Sequence, residues 1–132
     1  MPIVLLWIAA VLSLYLVQLF IPSLFRLFQP GVGLFVYVGS RDSVPPLSPV
    51  GGRSDRAARN LGESLPLVLT AAILTIALER ETASGLLGVQ LFFWARLAYL
   101  LLYLAAIPWL RSIAWTVAFA GIVLMAIPLL VS

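Results

Sequence analysis

Residues 3–25 read IVLLWIAAVLSLYLVQLFIPSLF, an unbroken run without a charged side chain. Its only side-chain polar atoms beyond the Trp7 indole belong to Ser13, Tyr15, Gln18 and Ser23. A helix needs roughly 20 apolar residues to cross the hydrocarbon core of a bilayer, and this run meets that length. It has no basic leader and no small-residue cleavage site, and it is too long for the core of a signal peptide, so it reads as a retained span. Three further apolar runs follow. The expected spans cover residues 2–25, 58–78, 86–108 and 112–131, with one long loop over 26–55.

The rest of the chain agrees with that reading. Of its 132 residues, 63% are hydrophobic and 10% charged, and the mean hydropathy is +1.13. Soluble domains average about half apolar and about a quarter charged, so there is too little polar surface here to coat a globule. The fold class is therefore all-α: one integral membrane four-helix bundle occupying residues 1–132. Absences narrow the chemistry. There is no cysteine and no histidine, which removes thiolate nucleophiles, disulfides, imidazole bases and the usual soft metal sites. No metal is expected. All basic residues are arginine, which excludes a lysine Schiff base. A net charge of +3, scattered along the chain, does not suit nucleic acid. Any enzyme built on this chain works with Arg, Tyr, Ser and carboxylates, or with a reactive group brought by a cosubstrate.

Arginine placement predicts orientation. The first loop holds Arg26, Arg41 and Arg53, with Arg56 and Arg59 close behind; the second holds Arg80 between Glu79 and Glu81; the third turn holds Arg111. The positive-inside rule puts loops one and three in the cytoplasm and both termini outside, in the cytoplasmic membrane if the source is prokaryotic. Within the first loop, residues 31–39 (GVGLFVYVG) are apolar but too short to span and are expected at the interface or folded over the bundle. Residues 40–52 contain Pro45, Pro46, Pro49, Gly51 and Gly52 and read as irregular linker, a strap or, alternatively, a lid.

Two segments place polar groups where a membrane disfavours them. The first is residues 54–67, SDRAARNLGESLPL. Ser54 or Asp55 is expected to cap the helix. Arg56, Asn60 and Glu63 stand at i, i+4 and i+7 and share one helical stripe, with Arg59 at its edge. The stripe suits a ligand carrying carboxylates and an amine; an interfacial helix with an Arg56/Arg59–Glu63 ion pair fits equally. Pro66 frees the carbonyl of Gly62 and is a potential kink. The second segment is residues 92–103, FFWARLAYLLLY, where Arg96 falls near mid-membrane and needs a partner. Glu63, the acid deepest in any span, is the expected one. Tyr99 and Tyr103 follow Arg96 on the same stripe, either as ligand contacts or as packed tyrosines beside a structural bridge. Ala114, Ala118, Gly121, Gly85 and Gly88 form small-residue spacings that suit close helix packing within or between chains.

The order Arg56, Asn60, Glu63, Pro66-Leu67, then Ala95-Arg96, Tyr99, Tyr103 and Arg111-Ser112, set on four spans, resembles the MAPEG family, the membrane-associated proteins of eicosanoid and glutathione metabolism. The likeness covers nearly the whole chain and is nearest to small prokaryotic members. The resemblance implies a homotrimer of four-helix subunits. It implies glutathione as cosubstrate, bound between subunits, and a lipophilic second substrate arriving from the membrane lipid. By matched position it gives Arg56, Asn60, Glu63, Tyr99 and Tyr103 to glutathione binding, and Arg111 to stabilising the thiolate as the catalytic residue. The residue spacing adds Arg59 and Arg96 to the candidate binding set.

The family pattern is not complete. Tyr103 to Arg111 is about one residue shorter than in the enzymes, Ser64 stands where leukotriene-forming members have a tyrosine, and Ala105 stands where some enzymes have another arginine. The expected function is a glutathione-dependent membrane transferase or peroxidase for lipophilic electrophiles or lipid hydroperoxides. A non-catalytic lipid-binding or scaffold member is the alternative. A small transporter fits less well, because spans one and four offer almost no polar path.

Overall fold

The computed structural model describes residues 1–40, 42 and 44–131; Arg41, counted above for orientation, lies outside them. The described residues form five helices and no strand: α1 (Ile3–Leu27), α2 (Gly33–Val38), α3 (Pro49–Ala77), α4 (Ala83–Leu104) and α5 (Pro108–Leu130). All but α2 are long and apolar enough to cross a membrane, which fits an integral multi-pass protein. Their outward surfaces are lined with exposed Leu, Ile, Val and Phe, such as Leu16, Phe20, Ile73 and Val123, as a lipid environment requires.

The core runs along the bundle axis. Val4, Ile8, Val11 and Leu14 of α1 share it with Leu61, Leu65 and Val68 of α3, Val89 and Phe92 of α4, and Ala118, Ile122 and Met125 of α5. Helix α1 packs mainly on α3, and α4 packs most extensively on α5. The α4–α5 seam is a backbone contact. A Cβ built on Gly88 would overlap the carbonyl oxygen of Gly121, and one on Gly121 would overlap that of Gly88. Between these two helices, then, the small-residue spacing joins elements of one chain.

Three expectations are corrected here. Helix α3 begins at Pro49, well before the expected 58, so residues 49–52 are helix and not linker. The start signal is local. Ser48 is the N-cap, its Oγ accepting from the Gly51 N–H at 3.2 Å, and Pro49 occupies the first turn, where its missing N–H costs nothing. Ser54 and Asp55 therefore do not cap; Ser54 sits inside the helix and its Oγ donates to the Gly51 carbonyl at 2.7 Å. Gly51 is buried, with Phe25 Cβ and Leu47 each 3.1 Å from where its Cβ would stand, so close packing explains its small size. Finally, Pro108 opens α5 and does not end α4.

The segment before α3 is pinned as a strap. Arg26 Nη1 donates to the Pro45 carbonyl at 3.2 Å, and Gln29 Nε2 to the Pro46 carbonyl at 2.7 Å. The apolar run 31–39 holds the short helix α2, with Leu34, Phe35, Val36 and Val38 all exposed.

Candidate functional site

The early start of α3 gives it about two extra turns at the end of the bundle where α4 finishes. Arg53, Arg56 and Asn60, at i, i+3 and i+7, lie on one stripe facing antiparallel α4. Each meets a successive level of that helix. Arg53 Nε donates to the Leu104 carbonyl at 3.3 Å, at the C-terminal end of α4 where a cation is favoured. Arg56 Nε donates to the Tyr103 hydroxyl at 3.1 Å. Asn60 Oδ1 accepts from Arg96 Nη1 at 2.8 Å.

Two tyrosine rings of α4 lie between arginines at either end of the cluster. The Arg96 guanidinium carbon stands 4.3 Å from the centre of the Tyr99 ring. Tyr99 and Tyr103 meet edge to face at 5.5 Å between centroids. Arg111, in the first turn of α5, places its guanidinium carbon 4.4 Å from the Tyr103 ring centre, with that of Arg56 at 5.8 Å. Ring faces attract cations most strongly when water is excluded. Arg96 is 1% exposed and Tyr99 6%. The three helices thus bring Arg56, Asn60, Arg96, Tyr99, Tyr103 and Arg111 into one connected cluster.

The cluster is incomplete electrostatically. Arg96 Nε and Nη2 are buried and have no hydrogen-bond partner. An arginine inside a membrane is costly unless its donors are met. The expected Arg96–Glu63 bridge is absent: Asn60 takes the contact, and the Glu63 carboxylate is exposed on α3, one turn further along. The amide oxygen lies at the level of the guanidinium in the α3/α4 register, which one sequence cannot supply. Nor does Glu63 pair with Arg56 or Arg59. The ion pair among the described residues joins Arg59 Nη2 to Asp55 Oδ2 at 2.9 Å.

The short Tyr103–Arg111 connection is closed by a tight turn. Ala106 has a left-handed backbone (φ 58°), the Ile107 N–H donates to the Leu102 carbonyl at 3.0 Å, and the Ala106 N–H to Tyr103 at 3.1 Å. This is the helix-ending motif that usually places glycine at the left-handed position. It reverses the chain quickly enough for Arg111 to return over Tyr103, even with the shortened segment.

Arg59 belongs elsewhere. With Tyr15, Ser23, Arg26, Tyr37 and Asp55 it lines a separate cavity of about 290 Å³ between α1, α2 and α3. Gly62 faces this side, where a Cβ would stand 3.0 Å from the Tyr15 hydroxyl. Sequence reasoning did not single out Arg53, Tyr15 or Arg26 as contacts. Ser48-Pro49 is the signal that could have revealed Arg53, since a helix starting there puts it on the Arg56 stripe.

The model of the MAPEG family matches residues 4–131, nearly the whole chain. No curated protein and no solved structure matches it.

Proposed function

The chain belongs to the MAPEG family, and from that premise we propose that it is a glutathione-dependent transferase or peroxidase acting on lipophilic electrophiles or lipid hydroperoxides drawn from the membrane. The observation that carries the proposal is Arg96: a buried guanidinium with two donors unmet, inside a cluster that also offers Arg56 and Arg111 and has a free carboxylate, Glu63, at its edge. Glutathione has two carboxylates and one ammonium group. Arginine holds carboxylates through paired hydrogen bonds, and a carboxylate suits an ammonium. Arg56 and Arg96 therefore hold the carboxylates, Glu63 the amine, and Asn60, Tyr99 and Tyr103 fix the positions of those charges.

Glutathione supplies the thiol that a chain without cysteine lacks. A free thiol has a pKa near 8.5 and is mostly protonated at neutral pH; a nearby guanidinium favours its anion, and a shift of two units corresponds to about 2.7 kcal/mol. Arg111 is the guanidinium assigned to that work. Arg56 and Glu63 are exposed on the flank of a single chain, which suits closure of the site by a neighbouring subunit in a homotrimer. The arginine-rich first loop favours a cytoplasmic position by the positive-inside rule, on the side where the tripeptide is available.

Calorimetric titration with glutathione tests the reading. Wild type should release heat, and Arg56→Ala and Glu63→Gln should weaken binding by about tenfold each, the effect of one charge-assisted contact. Equal heats in all three proteins remove the site. A second reading, a non-catalytic binding protein, is favoured by one observation: the Arg111 guanidinium is engaged over the Tyr103 ring. Ultraviolet absorbance of the bound thiolate separates the two. A band that weakens in Arg111→Ala supports the enzyme, and binding without a band supports the alternative.

A further inference from the structure

The short helix α2 has no part in the function proposed above, and its two sides differ. On the inner side Val32, just before the helix, is buried, and Tyr37 is half-buried and lines the same cavity as Leu19 and Ser23 of α1. On the outer side Leu34, Phe35 and Val38 are exposed, Phe35 by 91%. Standing at i, i+1 and i+4, they form one apolar strip. In water such a strip is a liability, so its surroundings decide its role.

The path of the chain fixes the level of α2. After α1 the Gln29 N–H donates to the Arg26 carbonyl and the Val32 N–H to the Gln29 carbonyl, each at 3.2 Å, which turns the chain. Gly31 and Gly33 take the left-handed backbone this turn needs (φ 83° and 62°), and nothing crowds the space a Cβ would fill, so conformation and not packing calls for glycine there. The result folds α2 back. Because Tyr37 shares a cavity with Leu19 and Ser23, α2 lies beside the last turns of α1 and not beyond them. The outward residues of those turns, Phe20 and Leu24, are exposed on the lipid-facing surface, and the strip on α2 continues it. Helix length agrees. The 25 residues of α1 rise about 37 Å, against a hydrocarbon core of about 30 Å, so the span extends to the headgroup level. Trp109, 83% exposed in the first turn of α5, marks the same boundary at the same end of the bundle.

We propose that α2 is an interfacial membrane anchor. Leu34, Phe35 and Val38 enter the boundary between headgroups and acyl chains at this end of the bundle, while Val32 and Tyr37 keep the other side of the segment on the protein. The surface that covers the strip is lipid. Since Tyr37 rides on the same short helix, the lipid contact also holds that wall of the cavity in place. The inference concerns a surface and not a ligand site, and it stands whether or not the chain binds glutathione.

Electron paramagnetic resonance of the full chain in phosphatidylcholine nanodiscs tests it. The chain has no cysteine, so Leu34→Cys, Phe35→Cys and Val38→Cys each carry a single nitroxide, on exposed positions with little packing to lose. Asp42→Cys, also exposed, gives the aqueous reference, and lipids spin-labelled at known carbons calibrate depth. At the three strip positions, collisions with oxygen should exceed those with a water-soluble nickel chelate, placing the labels about 5–10 Å below the headgroup boundary. The Asp42 reference should show the reverse. Nickel collisions on the strip as frequent as at Asp42 would place α2 in water and overturn the proposal. Few collisions with either reagent would place the strip under protein and overturn it as well; spin–spin broadening that disappears when labelled chain is diluted with unlabelled chain would then identify the cover as a second copy.

Discussion

The two ends of the bundle use the same side-chain types for different work. Where α3 gives way to α4, Arg80, Glu81 and Thr82 each meet a helix terminus. Glu81 Oε1 accepts from the Val4 N–H at the start of α1, at 3.2 Å. Arg80 Nη1 donates to the Pro128 and Val131 carbonyls at the end of α5, at 3.3 and 3.4 Å. Thr82 caps α4 through the Gly85 N–H. Carboxylate at a helix start and guanidinium at a helix end oppose the backbone dipole, so these charges are neutralised by architecture. At the opposite end, among the described residues, Ser48 and Arg53 meet a helix terminus. Among the described residues, Arg56, Arg96 and Arg111 face tyrosine rings and one amide, with no carboxylate in contact, and two donors of Arg96 are unmet. The difference teaches that a charge in this bundle is structural when a helix terminus answers it. Where aromatic faces answer it, capacity for a ligand remains.

Four variants break or sharpen that contrast. The largest effect is expected from Asn60→Leu, which leaves the buried Arg96 without its one side-chain acceptor; it should cost roughly 3 kcal/mol in unfolding from detergent micelles. Arg96→Met comes next and separates the two roles. It removes a costly buried cation, so stability should hold or rise, while glutathione affinity measured by calorimetry should fall about thirtyfold, near 2 kcal/mol. If binding survives, the aromatic end is merely structural and the contrast fails. At the other end, Arg80→Met with Glu81→Gln should lower stability by about 1 kcal/mol through lost helix-end contacts, with glutathione affinity unchanged in the same titration. The smallest effect is expected from Ala106→Gly, which relieves a left-handed alanine and should raise the thermal midpoint slightly, by up to about 1 kcal/mol of stability.

The four spans were legible because apolar length is a property of the sequence alone. The clustering of Arg56, Asn60, Tyr99 and Tyr103 was foreshadowed by helical spacing on two separate segments. What spacing could not supply was the register between helices. Asn60 and Glu63 are one turn apart on the same stripe, and only the packed level of α4 decides which one meets Arg96. Arg59 sat at the edge of that stripe, and the position of α1 drew it to the other side. The start of α3 was a different kind of miss. Ser48-Pro49 is a readable helix opening, but Gly51-Gly52 was read as a turn signal, whereas Gly51 is small because Phe25 and Leu47 crowd it.

The clasp between Gly88 and Gly121 bears on how the aromatic end can move. Helices α4 and α5 are tied at one end by the turn at Ala106 and, about 22 Å further along at 1.5 Å per residue, by that backbone contact. A hairpin fastened at both ends shifts as one rigid body. Tyr99, Tyr103, Arg96 and Arg111 therefore travel together; α3 meets them through side-chain hydrogen bonds at Arg56 and Asn60 and the Arg56 cation near the Tyr103 ring, while Arg53 bonds the end of α4 at Leu104. Any breathing at the cluster amounts to α3 sliding like a bolt along a fixed plate.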